Sequence, residues 1–296
     1  MTEITYGITG ASGQLARIAA EELRTAGVRR LVLGTRDPSS LSTTAIAQDD
    51  IRRLDFDDPS TLTSGLAGVD RLLIVSTDHL SLTGARVTQH RNALQAALAA
   101  GVGHVAYTSM PNPAESSAIP FADDYRIMEA DLQHSGIDHT ILRVSWYFEN
   151  LLPLLRHVAS TGTWFSAAGD GRISYLARSD AGRAAARALL RADGGVVDLT
   201  GPAYQTTREI AGILSDFLGR TIQVVDAKPS ELPGLWTAAG LPPSYVATLA
   251  VTDANQRDGR LSDVSGAVAE LTGHEPLGWH DFLFANLERL LPSAVH

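Results

Sequence analysis

Cysteine is absent from all 296 residues. Disulfides, thiolate metal sites and cysteine nucleophiles are thereby excluded. Lysine is nearly absent too: Lys228 stands alone, and the rest of the 24 basic residues are arginines. Basic charge is in deficit, 24 Lys and Arg against 33 Asp and Glu for a net charge of −9, which argues against a nucleic-acid or anionic-membrane binder. No apolar run approaches the roughly 20 residues of a membrane span, and no basic-then-apolar leader opens the chain. The nine histidines show no metal-ligand spacing; His134 and His139 straddle a turn, His274 and His280 a Pro-Leu-Gly loop. Neither a Gly-x-Ser-x-Gly elbow nor a P-loop occurs. These absences predict a cytoplasmic protein without a metal.

The chain does have a rhythm. Short apolar runs at 4–9, 30–35, 51–54, 71–76, 104–108 and 139–144 predict strands. They are apolar throughout rather than alternating, as parallel strands covered on both faces are. Between them 13–26, 60–67, 84–100 and 121–135 read as helices, with Gly27, Gly101 and Gly136 where C-caps fall and Pro59 at the start of the second. The alternation predicts an α/β fold, a doubly wound parallel sheet. After about residue 150 the rhythm breaks. "DGRISYLARSD" is turn-like, 180–191 is helical, "VVDLTGP" and "TIQVVDA" are short strands, and "TTREIAGILSDFLGR" is a helix with Thr206 or Thr207 as N-cap and Gly219 as C-cap. The expected division is a dinucleotide-binding domain over 1–150 and a smaller, mainly helical lobe over 151–296, with the chain free to cross back.

Chemistry enters at the first strand–helix junction. Gly7, Gly10 and Gly13 lie in "GITGASG", followed by Gln14 and Leu15. Such a triplet serves a tight turn; between a strand and a helix it also seats a pyrophosphate on free helix N–H groups, where missing side chains let the backbone approach. Ser12 and Gln14 add hydrogen-bonding capacity. The second strand ends in "TRDP", placing Arg36 and Asp37 where a ribose is read. An Arg accommodates the 2′-phosphate of NADP and an acid the hydroxyls of NAD. Arg36 favours NADPH, and Asp37 keeps NADH open. Asp55 and Phe56, after the third strand, fall near the adenine.

The glycines, "TRDP", "LLIVS", "VAYTS", "TILRVSWYFEN" and "AAGDGRI" together make the chain resemble the short-chain dehydrogenase/reductase superfamily. The likeness is strongest to its atypical NmrA-like branch, and within it to bacterial type-2 NAD(P)H:quinone oxidoreductases and triphenylmethane reductases. It runs from about residue 4 to 190 and is looser beyond. The resemblance implies an extended Rossmann domain, a small C-terminal lobe, and hydride transfer from NADPH to a quinone-like aromatic acceptor; the protein is expected to use no flavin and to be a monomer or homodimer. Carried over by position, Gly7, Gly10, Ser12, Gly13, Gln14 and Leu15 hold the pyrophosphate. Ser76 and Thr77 line the cofactor, and Ser109 falls where short-chain reductases carry a catalytic Ser. Trp146, Tyr147, Phe148 and Asn150 border nicotinamide and acceptor. Two departures from the pattern are Ala16 in place of Gly, and Val144-Ser145 in "RVSWY" where the branch has Asn-Gly.

Short-chain reductases pair Tyr with Lys four residues on, on one helix face. This chain offers Tyr125 as the proton donor but Glu129 at the lysine position. A carboxylate there opposes ionisation of the phenol. Quinone reduction tolerates that loss better than ketone reduction, because hydride addition gives a delocalised phenolate. Trp146, Tyr147 and Phe148 are consecutive, so at least one is expected in the core. Phe121 and Trp236 are further candidate walls, each read as core. The alternatives are a reductase of another apolar acceptor, such as a dye or enone, and an NADP(H)-sensing regulator that performs no turnover.

Overall fold

The computed structural model describes residues 3–41, 46, 49–77 and 84–290. Six strands, β1 (Tyr6–Ile8), β2 (Leu31–Thr35), β3 (Asp50–Arg53), β4 (Arg71–Ile74), β5 (His104–Ser109) and β6 (Asp138–Val144), alternate with α1 (Gln14–Thr25), α2 (Pro59–Gly65), α3 (Ala85–Ala99) and α4 (Ala122–His134). The apolar runs predicted these strands for the stated reason: every residue of β1, β2 and β5 is buried. β3 departs most from this, an edge strand whose ends are exposed.

The chain then continues through α5 (Leu152–Thr161), β7 (Thr163–Ser166), β8 (Arg172–Ile173), α6 (Arg178–Arg191), β9 (Gly195–Leu199), β10 (Gln205–Thr206), α7 (Thr207–Leu218) and β11 (Gln223–Asp226). It ends in α8 (Leu232–Ala238), α9 (Pro243–Arg257), α10 (Ala267–Thr272), α11 (Trp279–Ala285) and α12 (Leu287–Leu290). α7 starts at Thr206, whose side chain accepts from Glu209 N–H while Glu209 accepts from Thr206 N–H, a capping box.

The main sheet has seven strands in the order β3-β2-β1-β4-β5-β6-β9, and each pairing is parallel. The order steps outward in both directions from β1 and β4, the mark of a doubly wound Rossmann fold. Residues beyond 150 also join the main sheet. β9 pairs with β6, Ile141 opposite Val196, and α6 lies against α1. The reason is visible in composition. α6 presents Ala181, Gly182, Ala184, Ala185 and Ala188, all buried. At Gly182 a Cβ would meet Ile18 Cγ2 at 2.7 Å and Leu15 O at 3.0 Å, so only glycine admits the helix this close. The smaller lobe is built on the parallel pair β7–β11 and the antiparallel pair β8–β10, with the later helices around them. Its core holds Phe148, Leu155, Trp164, Ile210, Trp236 and Phe282.

Candidate active site

A cleft of about 560 Å³ opens at the carboxyl ends of the central strands, where a doubly wound sheet places its ligands. At its floor β1 runs into the glycine loop. Gly10 takes φ +59°, a left-handed conformation that L side chains rarely adopt, and its carbonyl accepts Gly13 N–H at 2.8 Å. α1 therefore begins at Gln14 aimed into the cleft. Gly13 caps it without a side chain, and no acidic residue stands in its first turn. Its first N–H groups and positive dipole end remain available to an anion. Gly10, Ser12, Gly13, Gln14 and Leu15 all line the cleft. Gly7 does not; it lies within β1, where a Cβ would meet Val69 Cγ1 at 2.9 Å. Ala16 is fully buried, and its methyl is absorbed by the core between α1 and the sheet.

At the ribose end Arg36 is exposed and makes no ion pair with a described residue, whereas Asp37 is already engaged. Its carboxylate accepts Ser39 Oγ–H at 2.7 Å and Ser39 N–H at 2.9 Å, and these bonds hold its carboxyl below the usual range. Asp55 and Phe56 line the adjoining wall. So does a pair the sequence did not flag: Gln89 from α3, nearly fully buried, donates to both oxygens of Asp57 at 3.0 and 3.1 Å.

The far end of the cleft is aromatic and hydroxylic: Ser76, Thr77, Thr108, Phe121, Tyr125, Trp146 and Tyr147. Here the sequence-based view of Tyr125 needs correction. Glu129 does not face it. Glu129 accepts Ser109 Oγ–H at 2.6 Å and is clamped by Arg143 at 2.7 and 3.1 Å, an ion pair that raises the Arg143 pKa. The cation beside the phenol is Arg86 from α3, only 1% exposed, whose Nη1 donates to Tyr125 Oη at 2.7 Å and also to Thr77 O. Its guanidinium lies 4.9 Å from the Tyr125 ring and 5.0 Å from Phe121. Beneath it His90 accepts Thr77 N–H at Nε2, which leaves the ring proton on Nδ1 for Tyr107 Oη at 3.1 Å. Burial, then the Arg86 charge, push the His90 pKa down to about 3, so the ring is neutral.

Three other expected residues fall elsewhere. Ser109 is buried against Glu129 and does not line the cleft. Phe148 is the one of the three consecutive aromatics that turns inward. It stacks on Phe282 at 4.8 Å and meets Trp279 edge-on at 4.7 Å. Asn150 sits outside the cleft lining, where its Oδ1 accepts Arg178 Nη2 at 3.0 Å. Arg178 itself went unflagged. From the start of α6 it stacks 4.7 Å over Tyr147 and reaches Gln14 Oε1, closing the glycine loop from the opposite side.

The profile of a family described as NAD(P)H-binding matches residues 10–190, the stretch that builds this cleft. The chain belongs to that family. Within it, the chain is 35% identical to quinone oxidoreductase 2 of Escherichia coli over 270 residues, covering 90% of this chain and 93% of that one. It superposes on the solved NADPH complex of that E. coli enzyme with a TM-score of 0.88 at 32% identity, over 96% of this chain and all of the other. The triphenylmethane reductase of Citrobacter sp., solved with NADP(H), gives 0.86 at 26% identity, over 95% and 99% of the two chains. An NmrA-like oxidoreductase of Aspergillus flavus is 26% identical over 92% of this chain and 91% of that one. The NmrA-like resemblance thus holds along nearly the whole chain, and the protein is an NAD(P)H-dependent oxidoreductase.

Proposed function

We propose that this chain uses NADPH to reduce a quinone-type aromatic acceptor. One observation carries the reading: a single cleft joins Arg36, which pairs with no described residue, and a helix N-terminus without a side-chain cap to a far end walled by Phe121, Tyr125, Trp146 and Tyr147. The residues fit a dinucleotide phosphate. The glycine loop and first turn of α1 offer donors to the pyrophosphate, and Arg36 matches a 2′-phosphate while Asp37 is held by Ser39. Bound there, the reduced nicotinamide supplies the hydride.

The chain's own residues then hold a flat acceptor. Offset stacking on such rings contributes roughly 0.5–1.5 kcal/mol beyond area burial. Orientation is the main catalytic effect such a pocket exerts. Arg178 and Gln14 close the cleft over the phosphate end. The E. coli and Citrobacter relatives are named for quinones and triphenylmethane dyes, both electron-poor conjugated ring systems that accept hydride; that supports the acceptor class. Glu129, at the position where short-chain reductases carry Lys, is clamped by Arg143, which removes one feature that would favour a regulator without turnover.

The test is NADPH consumption by the purified chain against simple quinones, enones, azo dyes and triphenylmethane dyes. Quinones are expected to give the highest kcat/KM. A strong preference for enones, or turnover of none of the four, would overturn the assignment.

A further inference from the structure

Three hydroxyls and one guanidinium form a directed chain along the aromatic end of the cleft. A guanidinium has no acceptor, so at the 2.7 Å contact with Arg86 Nη1 the Tyr125 phenol accepts. The phenol's own proton goes to Ser76 Oγ at 3.2 Å. Thr108 Oγ1 accepts Ser76 N–H at 2.9 Å and turns its proton onto the same Ser76 Oγ at 3.3 Å. Ser76 Oγ thus accepts twice. Its own proton meets no acceptor among the described residues, and of the three hydroxyl residues, all of which line the cleft, Ser76 is half-buried whereas Tyr125 and Thr108 are buried.

We propose that Ser76 is the catalytic proton donor to the bound acceptor, that Tyr125 resupplies it, and that Arg86 is the positioning residue for Tyr125. The proposal rests on the reductase reading above. Reduction of a quinone carbonyl takes one hydride, which leaves the cofactor oxidised, and one proton. The Ser76 O–H bond breaks as an O–H bond forms on the acceptor oxygen. The Tyr125 O–H bond breaks in turn as its proton passes to Ser76. The negative charge comes to rest on the phenol oxygen beside Arg86, which is itself too basic to give up a proton. Water reprotonates Tyr125 after the product leaves. The role that a lysine fills in Tyr-x-x-x-Lys is thereby taken by an arginine from a different helix, α3 rather than α4.

Two acceptors separate proton delivery from hydride transfer. A neutral benzoquinone needs both; a triarylmethane dye cation takes hydride with no proton. In the full chain, Ser76→Ala is expected to lower kcat for the quinone by roughly tenfold or more beyond its effect on the dye, the scale of general-acid catalysis. Tyr125→Phe does the same, and the double variant is no slower than the slower single, because the two act in series. Solvent deuterium slows wild-type turnover of the quinone and not of the dye. Arg86→Lys retains more quinone turnover than Arg86→Met, with cofactor binding as the check on folding. Equal losses on both acceptors, or a double loss equal to the product of the singles, overturns the relay and leaves the reductase reading standing. A wild type that consumes NADPH with neither acceptor overturns the reductase reading, and the relay falls with it.

Discussion

Arg36 and Asp37 are neighbours with opposite charges, and only their surroundings decide which one reads the cofactor. Asp37 spends its carboxylate on Ser39, so Arg36 is the group left to meet a phosphate. Charge-assisted hydrogen bonds contribute about 1.5–3 kcal/mol. Arg36→Ala is therefore expected to weaken NADPH binding by roughly tenfold to a hundredfold and NADH binding far less. Titration of both cofactors against both proteins checks it; equal losses would remove the 2′-phosphate assignment. Phe148 makes the opposite kind of case. It was expected at the acceptor and lies in the core of the smaller lobe, 1% exposed. Phe148→Ala should cost about 3–5 kcal/mol of stability in denaturant titrations. A selective loss of acceptor turnover without loss of stability would return it to the site. The glycine loop, Arg36, Trp146 and Tyr147 were legible because each belongs to a short contiguous motif. Arg86 was not: it meets Tyr125 across 39 positions and from another helix, and nothing in a linear pattern marks that meeting.

The same limit operates on elements. β1, β2 and β5 could be read because burial on both faces makes them largely apolar, and β3 only from the strand–helix rhythm, since its ends are exposed. Pairing could not be read, so "VVDLTGP" gave a strand without revealing that it extends the main sheet beside β6. What brings α6 and β9 back is the small-residue face of α6 against α1, and that contact also sets Arg178 over Gln14. Gly182→Ala tests it. By helix propensity alone the change should stabilise by roughly 1 kcal/mol. The added Cβ would instead meet Ile18 and the Leu15 carbonyl, forcing the helices apart at a cost of about 1–3 kcal/mol. We expect net destabilisation in urea and weaker cofactor binding. A net gain in stability would show that α1 and α6 do not need this close approach.

At the scale of the whole molecule two buried ionisable groups pull stability in opposite directions as pH falls. Asp253, in the smaller lobe, accepts from Ser166 Oγ and Ala167 N–H, yet burial pushes its pKa up to about 6. An acid with a raised folded pKa costs stability above that value, and the cost fades as pH falls toward its unfolded pKa near 4. His90, held neutral with a pKa near 3, does the reverse: stability is lost as pH falls below its unfolded value of about 6.5. The two partly cancel in the wild type. Asp253→Asn removes one of them, so its stability advantage over wild type should shrink by roughly 1–2 kcal/mol between about pH 7 and pH 5. An advantage independent of pH would mean that Asp253 is not a buried charge. Whether one cleft binds NADPH and delivers its hydride to a quinone is decided by an anaerobic single turnover. The chain is loaded with one equivalent of NADPH and mixed with a simple benzoquinone while reduced nicotinamide and hydroquinone are followed together. NADPH is expected to be lost and hydroquinone formed in equal amounts, far faster than without protein. NADPH that stays bound and reduced through every quinone offered would contradict it.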